Sequence, residues 1–311
     1  VEALALLCRG IRWPASPGTP QLSLDDAQQG SRDVELARGT RIGFRVLPGR
    51  WCLGHQLVAD KDHRTLVPCP RQALITSGTQ CELCEAADQT RAMHDFHRSD
   101  RASPGLRDYL NQPHWLYIAT FAHGVTKVGT AANPSKWRRL AEQGSIVARF
   151  VAWCPDGASV RRLEDALSSG LGITQQVRAN SKVRGLLEGH TSTQQLDRLN
   201  AEAATSARSL LAEHLGASGS TSRIVEESWH VPEPSMELLA GLDAKSLQPY
   251  PADLTTAEHG FTSISVLGQV IGVSIEGQSG LFVANAALLK GRKLEFGPHV
   301  TKAPPVQSAL F

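Results

Sequence analysis

The sequence predicts an α+β protein assembled from short, separately recognisable pieces. Three observations carry that reading. Residues 115–171 alternate strand, strand, helix, strand, helix. Residues 36–75 are β-prone and run into a cluster of cysteines. Residues 261–296 hold β-like runs with glycines between them.

In chain order, residues 1–35 have weak periodicity and are rich in Pro, Gly and Gln, as in Trp13-Pro-Ala-Ser-Pro-Gly-Thr-Pro20, and are expected to be poorly structured. A β-rich cysteine region is expected over 36–112. Within it, 41–47 reads as a strand stopped by Pro48-Gly49, with further strands at 51–59 and 65–67 around the polar turn Asp60-Lys-Asp-His63. A helical-looking run at 90–98 precedes a polar link at 100–114. The central domain is expected over 113–190. Its apolar run 115–122, the turn His123-Gly124 and the short strand 125–128, closed by Gly129, read as a hairpin. The next helix spans 133–144, with Asn133 as N-cap, Pro134 at the first helical position and Gly144 as stop. A strand at 146–153, the turn Pro155-Asp-Gly157 and a helix at 158–171 follow.

The longest helix is expected over 191–217, where Leu196, Leu199, Ala203, Leu210, Leu211 and Leu215 recur at roughly helical spacing. The last β-rich element covers 224–311. Its β-like runs at 261–273, 280–284 and 293–296 are expected to pack with the N-terminal strands as one barrel-like or sandwich unit, with the central domain inserted or appended. Its glycines do not form a phosphate loop, because no Gly-Lys-Ser/Thr follows.

Cys52, Cys69, Cys81 and Cys84 are separated by sixteen, eleven and two residues. Cys81-Glu-Leu-Cys84 can grip one metal from a single turn, and a hairpin between Cys52 and Cys69 can supply the second pair. Four thiolates on zinc make a closed, structural site with no open position for chemistry. His55 is an alternative ligand, and His94 and His97 are weaker ones. A redox pair is the competing reading, but no βαβ unit surrounds it; unliganded buried thiols are the other. Cys8 and Cys154 stand apart, and Cys154 reads as a core thiol.

No run of 18 apolar residues exists among the 311, so no membrane span is expected. The first residues are too short and too acidic for a secretory signal, and a cytoplasmic location is expected. Net charge is only +2, but it is unevenly spread. Residues 126–184 hold ten Lys/Arg against four Asp/Glu, and residues 185–243 hold three against nine. A basic central domain suits a polyanion such as nucleic acid; a solvated face has the same composition.

The run Leu116-Tyr-Ile118, then Lys127-Val-Gly129, Arg138-Arg139 and a later Glu164 resembles the GIY-YIG superfamily of nuclease-like domains, in a branch whose second motif reads Lys-Val-Gly. With the closing run 268–282, it also resembles an uncharacterised prokaryotic family that pairs such a domain with a cysteine cluster. The domain match covers about residues 113–170 and the wider resemblance about 40–300. The resemblance implies metal-dependent phosphodiester hydrolysis on nucleic acid. Glu164 would hold a catalytic Mg or Mn ion, Arg138 or Arg139 would clamp phosphate oxygens, Tyr117 would orient or deprotonate the attacking water, and Lys127 would act as general base if its pKa were lowered and otherwise as a phosphate contact. The second-motif tyrosine is replaced by Lys127, and the glycine before the first motif is absent. His123 sits in the hairpin turn. Ordinary structural roles compete: Tyr117 as a core aromatic, Lys136, Arg138 and Arg139 as a solvent face, and Glu164 as the helical i,i+3 partner of Arg161. The functions left open are a metal-dependent endonuclease, a non-catalytic nucleic-acid-binding module of the same fold, and a small-molecule modifying enzyme reusing it.

Overall fold

The computed structural model describes residues 5–26, 30–99, 101–189, 191–218 and 221–302. Residues 1–4 and 303–311, which the first and last expected regions include, lie outside them. The chain begins with β1 (Ala5–Arg12), β2 (Gln21–Asp26), β3 (Gly30–Glu35) and β4 (Arg41–Val46), then the ribbon β5 (His55–Val58) and β6 (Arg64–Val67). Three short helices follow: α1 (Glu82–Ala87), α2 (Phe96–Ser99) and α3 (Pro104–Leu110). The middle comprises β7 (His114–Thr120), β8 (Thr126–Ala132), α4 (Lys136–Gln143), β9 (Val147–Cys154), α5 (Gly157–Leu171), α6 (Ala179–Glu188) and α7 (Thr193–Ser218). It ends with β10 (Arg223–Trp229), α8 (Met236–Asp243), β11 (Leu247–Pro249), β12 (Glu258–Leu267), β13 (Val270–Ser274), β14 (Leu281–Asn285) and β15 (Lys293–Phe296).

Nine strands form one sheet in the order β11-β14-β13-β12-β4-β15-β1-β2-β3, so the two ends of the chain interleave. Its pairings are antiparallel except β11 with β14. Residues 5–12, 21–26 and 30–35 are therefore strands, where composition had suggested a poorly structured segment. Leu6, Cys8 and Ile11 on β1 and Leu22 and Leu24 on β2 turn inward and are buried. The proline-rich run only connects β1 to β2. Trp13, at its start, is anchored by its indole N–H donating to the carbonyl of Gly268 at 3.0 Å.

A second sheet has the order β10-β9-β7-β8. Its two faces bury different partners. Tyr117, Ala119, Phe121 and Phe150 join Leu140 of α4 and the nine-stranded sheet in one core. Leu116, Ile118, Val128 and Val151 pack on Val160, Leu163 and Leu167 of α5 and on Ala204, Ala207 and Leu211 of α7. Burying each such branched side chain stabilises the fold by about 1.5–3 kcal/mol. α7 buries a slightly different stripe from the one its leucines suggest. Leu199 is exposed, whereas Asn200 is fully buried and donates to Ile118 O at 3.1 Å and Thr120 Oγ1 at 3.0 Å.

Local signals explain the helix ends. Asp156 caps α5 by accepting the N–H of Ser159 at 2.7 Å. Gly144 ends α4 in the left-handed region, φ 67°. Asn133 does not act as an N-cap; a 3-10 turn Asn133–Ser135 precedes α4, and the Asn133 amide oxygen accepts the Trp115 indole N–H at 2.9 Å. The helical run at 90–98 is split into a 3-10 turn, Gln89–His94, and α2. Among the described residues, no helix is long and apolar enough to cross a membrane.

Candidate metal centre and the adjoining cleft

Cys52, Cys69, Cys81 and Cys84 converge, with their sulfurs all within 4.8 Å of one another. Local sequence makes this happen. The ribbon β5–β6 returns the chain so that Cys52 and Cys69 flank its open end. Cys81 stands at the N-cap of α1 and Cys84 in its first turn, so an i,i+3 pair points to one side. A tetrahedral ion with metal–sulfur bonds of 2.3 Å holds its sulfurs about 3.8 Å apart. Cys69 and Cys81 Sγ are 3.9 Å apart, so the donor set fits such an ion.

The surroundings also suit thiolates. Cys52 Sγ accepts backbone N–H groups from Gly54 at 3.3 Å and Cys81 at 3.2 Å. Burial pushes the Cys52 and Cys84 thiols up. Burial opposes ionisation of Cys69 as well, but the backbone N–H groups of Ala73 and Arg71 together with hydrogen bonds to Cys52 and Cys84 outweigh it and bring that thiol down to about 7. Gly54, at φ 78°, carries the chain away from Cys52. The four cysteines form a set able to chelate a metal ion. His55 and His97 are not part of it: His97 Nε2 lies 2.8 Å from Asp165 Oδ2 instead. The His94 side chain lies outside the described residues. Cys8 and Cys154 are buried thiols, raised to about 12 and about 11 chiefly by burial.

The residues singled out in the central domain fall into two groups. Tyr117 on β7 and Lys127 on the edge strand β8 are neighbours, and Glu164 on α5 lies within electrostatic reach of Lys127. Lys127 Nζ sits 5.9 Å from the Tyr117 ring centroid and donates to Gln175 O at 3.3 Å. Glu164 accepts from Arg161 Nη1 at 2.6 Å. Burial raises the Glu164 carboxyl, and the charges of Arg161 and Lys127 pull it back. All three side chains are sealed: Tyr117 is 0% exposed, Glu164 3% and Lys127 7%. The Tyr117 hydroxyl accepts from Gln143 Nε2 at 2.6 Å.

Arg138 and Arg139 form the second group. They project from α4 into a cleft of about 1240 Å³ that runs past the cysteine cluster, β1 and β2. Tyr117, Lys127 and Glu164 do not line this cleft; Arg161 does, while holding Glu164 behind it. Eight basic side chains line the cleft against four acidic ones, a positive balance. Arg138 Nε lies 3.5 Å from Glu142 Oε1. Burial raises the Glu142 carboxyl, whereas Arg138, Arg139, Lys290 and Arg64 lower it. Arg64 on β6 and the α4 arginines thus act on one carboxylate from opposite walls.

Lys136 is not a free solvated cation; it binds Glu227 at 2.6 Å and stands 3.3 Å above the Trp115 ring centroid. His123 sits on the β7–β8 turn against Gly185 of α6, and burial lowers its pKa. Lys182 was not singled out from the sequence. Its ammonium donates to Gln143 O at 2.7 Å and stands 4.4 Å from the Phe121 ring centroid. Burial, then the charges of Lys127 and Arg139, lower it to about 7. A lone lysine in the basic run 178–184 gave no signal of burial. No family model matches the chain, and neither a curated protein nor a solved structure matches it.

Proposed function

We propose that this chain is a zinc-braced, nucleic-acid-binding protein with a GIY-YIG-like central module that binds without cleaving. One observation carries the reading. Of the side chains that the resemblance assigns to chemistry, those that need to touch the reacting phosphate or a hydrated metal, Tyr117 and Glu164, are sealed, while Arg139, which needs only to meet a phosphate, is exposed on the cleft wall. A magnesium ion keeps several waters when bound by one or two carboxylates. Glu164, 3% exposed and bound to Arg161, offers no room for them. The four-thiolate set suits structural zinc, which leaves no coordination position open to substrate.

Hydrolysis with Mg or Mn is the second reading, favoured by Glu164 lying within the electrostatic reach of Lys127, whose ammonium is 5.9 Å from the Tyr117 ring centroid. Labelled DNA and RNA panels incubated with magnesium or manganese separate the two. The expected result is salt-sensitive binding, weakened by Arg139→Ala, with no metal-dependent cleavage. Cleavage by the wild type that Glu164→Gln abolishes, with zinc content and circular dichroism unchanged, overturns the binding-only reading in favour of hydrolysis.

A further inference from the structure

We infer that a single strand of nucleic acid lies along the cleft between the cysteine ribbon, β15 and α4, with its phosphates on Arg64, Lys293 and Arg139. The inference rests on the nucleic-acid reading above and adds its path, its strandedness and two contacts outside the central module.

The three cations come from distant parts of the chain. Arg64 is on β6, next to the cysteine cluster; Arg139 is on α4; Lys293 opens β15 in the nine-stranded sheet. Most other cations lining the cleft are occupied. Arg9 binds Asp25, Arg12 binds Asp33, Lys61 binds Asp62, Arg138 lies beside Glu142 and Arg161 holds Glu164. Among the described residues, Arg64, Arg139 and Lys293 have no such ion pair; Arg64 and Arg139 act on Glu142 only at longer range, so no contacting carboxylate competes with a ligand for these three cations.

Arg64 and Lys293 are held on aromatic faces. The Arg64 guanidinium carbon is 4.8 Å from the Tyr109 ring centroid, and Lys293 Nζ is 4.8 Å from that of Trp51. Both cations are therefore positioned before a ligand arrives, which reduces the ordering cost of binding. Trp51 lines the cleft and is only half-buried, so its ring adds a surface on which a base can stack. Cations spaced along a groove with an aromatic beside them match a strand whose backbone is charged and whose bases have flat faces. The volume of about 1240 Å³ lies just above the roughly 300–1,000 Å³ of small-molecule sites. That volume suits a few nucleotides of one strand.

The test is fluorescence anisotropy of the full chain with labelled single-stranded DNA and RNA, and with duplexes of the same length, across a salt series. Arg64→Ala/Lys293→Ala is compared with wild type and with Arg184→Ala, a control on the exposed face of α6 outside the cleft. Single strands are expected to bind more tightly than duplexes. The double variant should lose on the order of tenfold in affinity and flatten the log–log salt slope by about 1.4, as two lost single-strand phosphate contacts require. Arg64→Lys/Lys293→Arg, which keeps both charges, should retain most of the binding; this separates charge from folding, with melting curves as a check. Wild-type binding of single strands that is indifferent to the double variant overturns the path through this cleft and leaves the nucleic-acid reading standing. Tighter binding of duplexes overturns the strandedness. No binding of any nucleic acid by the wild type overturns both the inference and the reading beneath it.

Discussion

The hydroxyl of Tyr117 lies where a side chain at Gly129 would begin: a Cβ there would stand 2.5 Å from the phenolic oxygen and 2.6 Å from Cζ. The two residues face each other across β7 and β8. Gly129 is therefore required by close approach of a ring, not by an unusual backbone angle. The glycine that closes Lys127-Val-Gly129 makes room for the tyrosine of Leu116-Tyr-Ile118. Gly129→Ala should destabilise the protein by about 1–3 kcal/mol in urea unfolding, the range for overpacking a filled core. In a Tyr117→Leu background the same change should cost clearly less, because the clashing atoms are gone. An equal cost in both backgrounds refutes the steric explanation.

The cysteine cluster predicts one zinc ion per chain by elemental analysis. Structural zinc supplies roughly 10–16 kcal/mol in small zinc-dependent peptides. The ribbon β5–β6 and α1 adjoin the four thiols, so Cys84→Ser or a strong chelator should loosen this region first. Hydrogen exchange should rise over residues 52–87 before it rises in α7, whose inward side chains lie in the separate core beneath the second sheet. Uniform protection after verified metal loss argues that packing alone holds the knuckle.

Lys182 makes the stability of the fold depend on pH. Its folded pKa is lowered to about 7, from 10.5, by burial and then by Lys127 and Arg139. Between these values the unfolded chain binds the extra proton, so stability from this group rises with pH from about 7 to about 10.5. Lys182→Met keeps the length of the side chain and removes the buried charge. It should stabilise the fold at pH 7 by on the order of 2 kcal/mol, and the gain should shrink as the pH is raised. Thermal melts of both proteins across this range measure the effect. A variant less stable than wild type at pH 7 shows that the contacts to Gln143 and Phe121 outweigh desolvation.

Asp165 works in the opposite direction. Burial alone would raise its pKa, but hydrogen bonds from His97 at 2.8 Å, Arg98 at 2.6 Å and Gln175 at 3.0 Å bring it down to about 2, from 3.8. Its contribution is complete above the unfolded value and lost as the pH falls through the folded one. Asp165→Asn should therefore cost about 1–2 kcal/mol at pH 6, after discounting for partial exposure, and almost nothing at pH 2. Acid titration of unfolding free energy checks this. A pH-independent difference points to lost hydrogen-bond geometry instead of charge.

The sequence made some of this arrangement legible. The order of strands and helices from His114 to Leu171 follows from short-range turn and cap signals such as Asp156 and Gly144, which act within a few residues. The cysteine cluster was equally legible, because a two-residue spacing fixes one pair and a hairpin brings back the other. The strands β1 to β3 were obscured by the prolines between Pro14 and Pro20, although Leu22 and Leu24 already alternated. α8 was missed because its buried Leu238, Leu239 and Leu242 form too short a stripe to stand out between proline-marked segments. Burial of Tyr117 and Glu164 could not be read from local pattern. It depends on the nine-stranded sheet covering one face of the central sheet and on α5 folding Glu164 against Arg161. The buried stripe of α7 shows the same limit: Asn200 outranks Leu199 because two acceptors, Ile118 O and Thr120 Oγ1, wait at that point.

Strand β15 lies between β4 and β1, so β1 to β3 join the rest of the sheet only when residues 293–296 are available, whereas β4 already has β12 as a partner. During synthesis, β1 to β3 are made first but remain a detached meander while some 250 residues emerge behind them. The central module, whose strand pairings are mostly local, can fold in that interval. Lys293 is the first residue of the late strand and also part of the cleft wall. The surface that would grip a polyanion is thus finished in the same step that closes the sheet, and a nascent chain shorter than this carries the four cysteines and the α4 arginines but not the assembled groove. Ribosome-stalled chains ending before and after β15 would differ in both protease resistance of β1 to β3 and retention on a phosphate polymer.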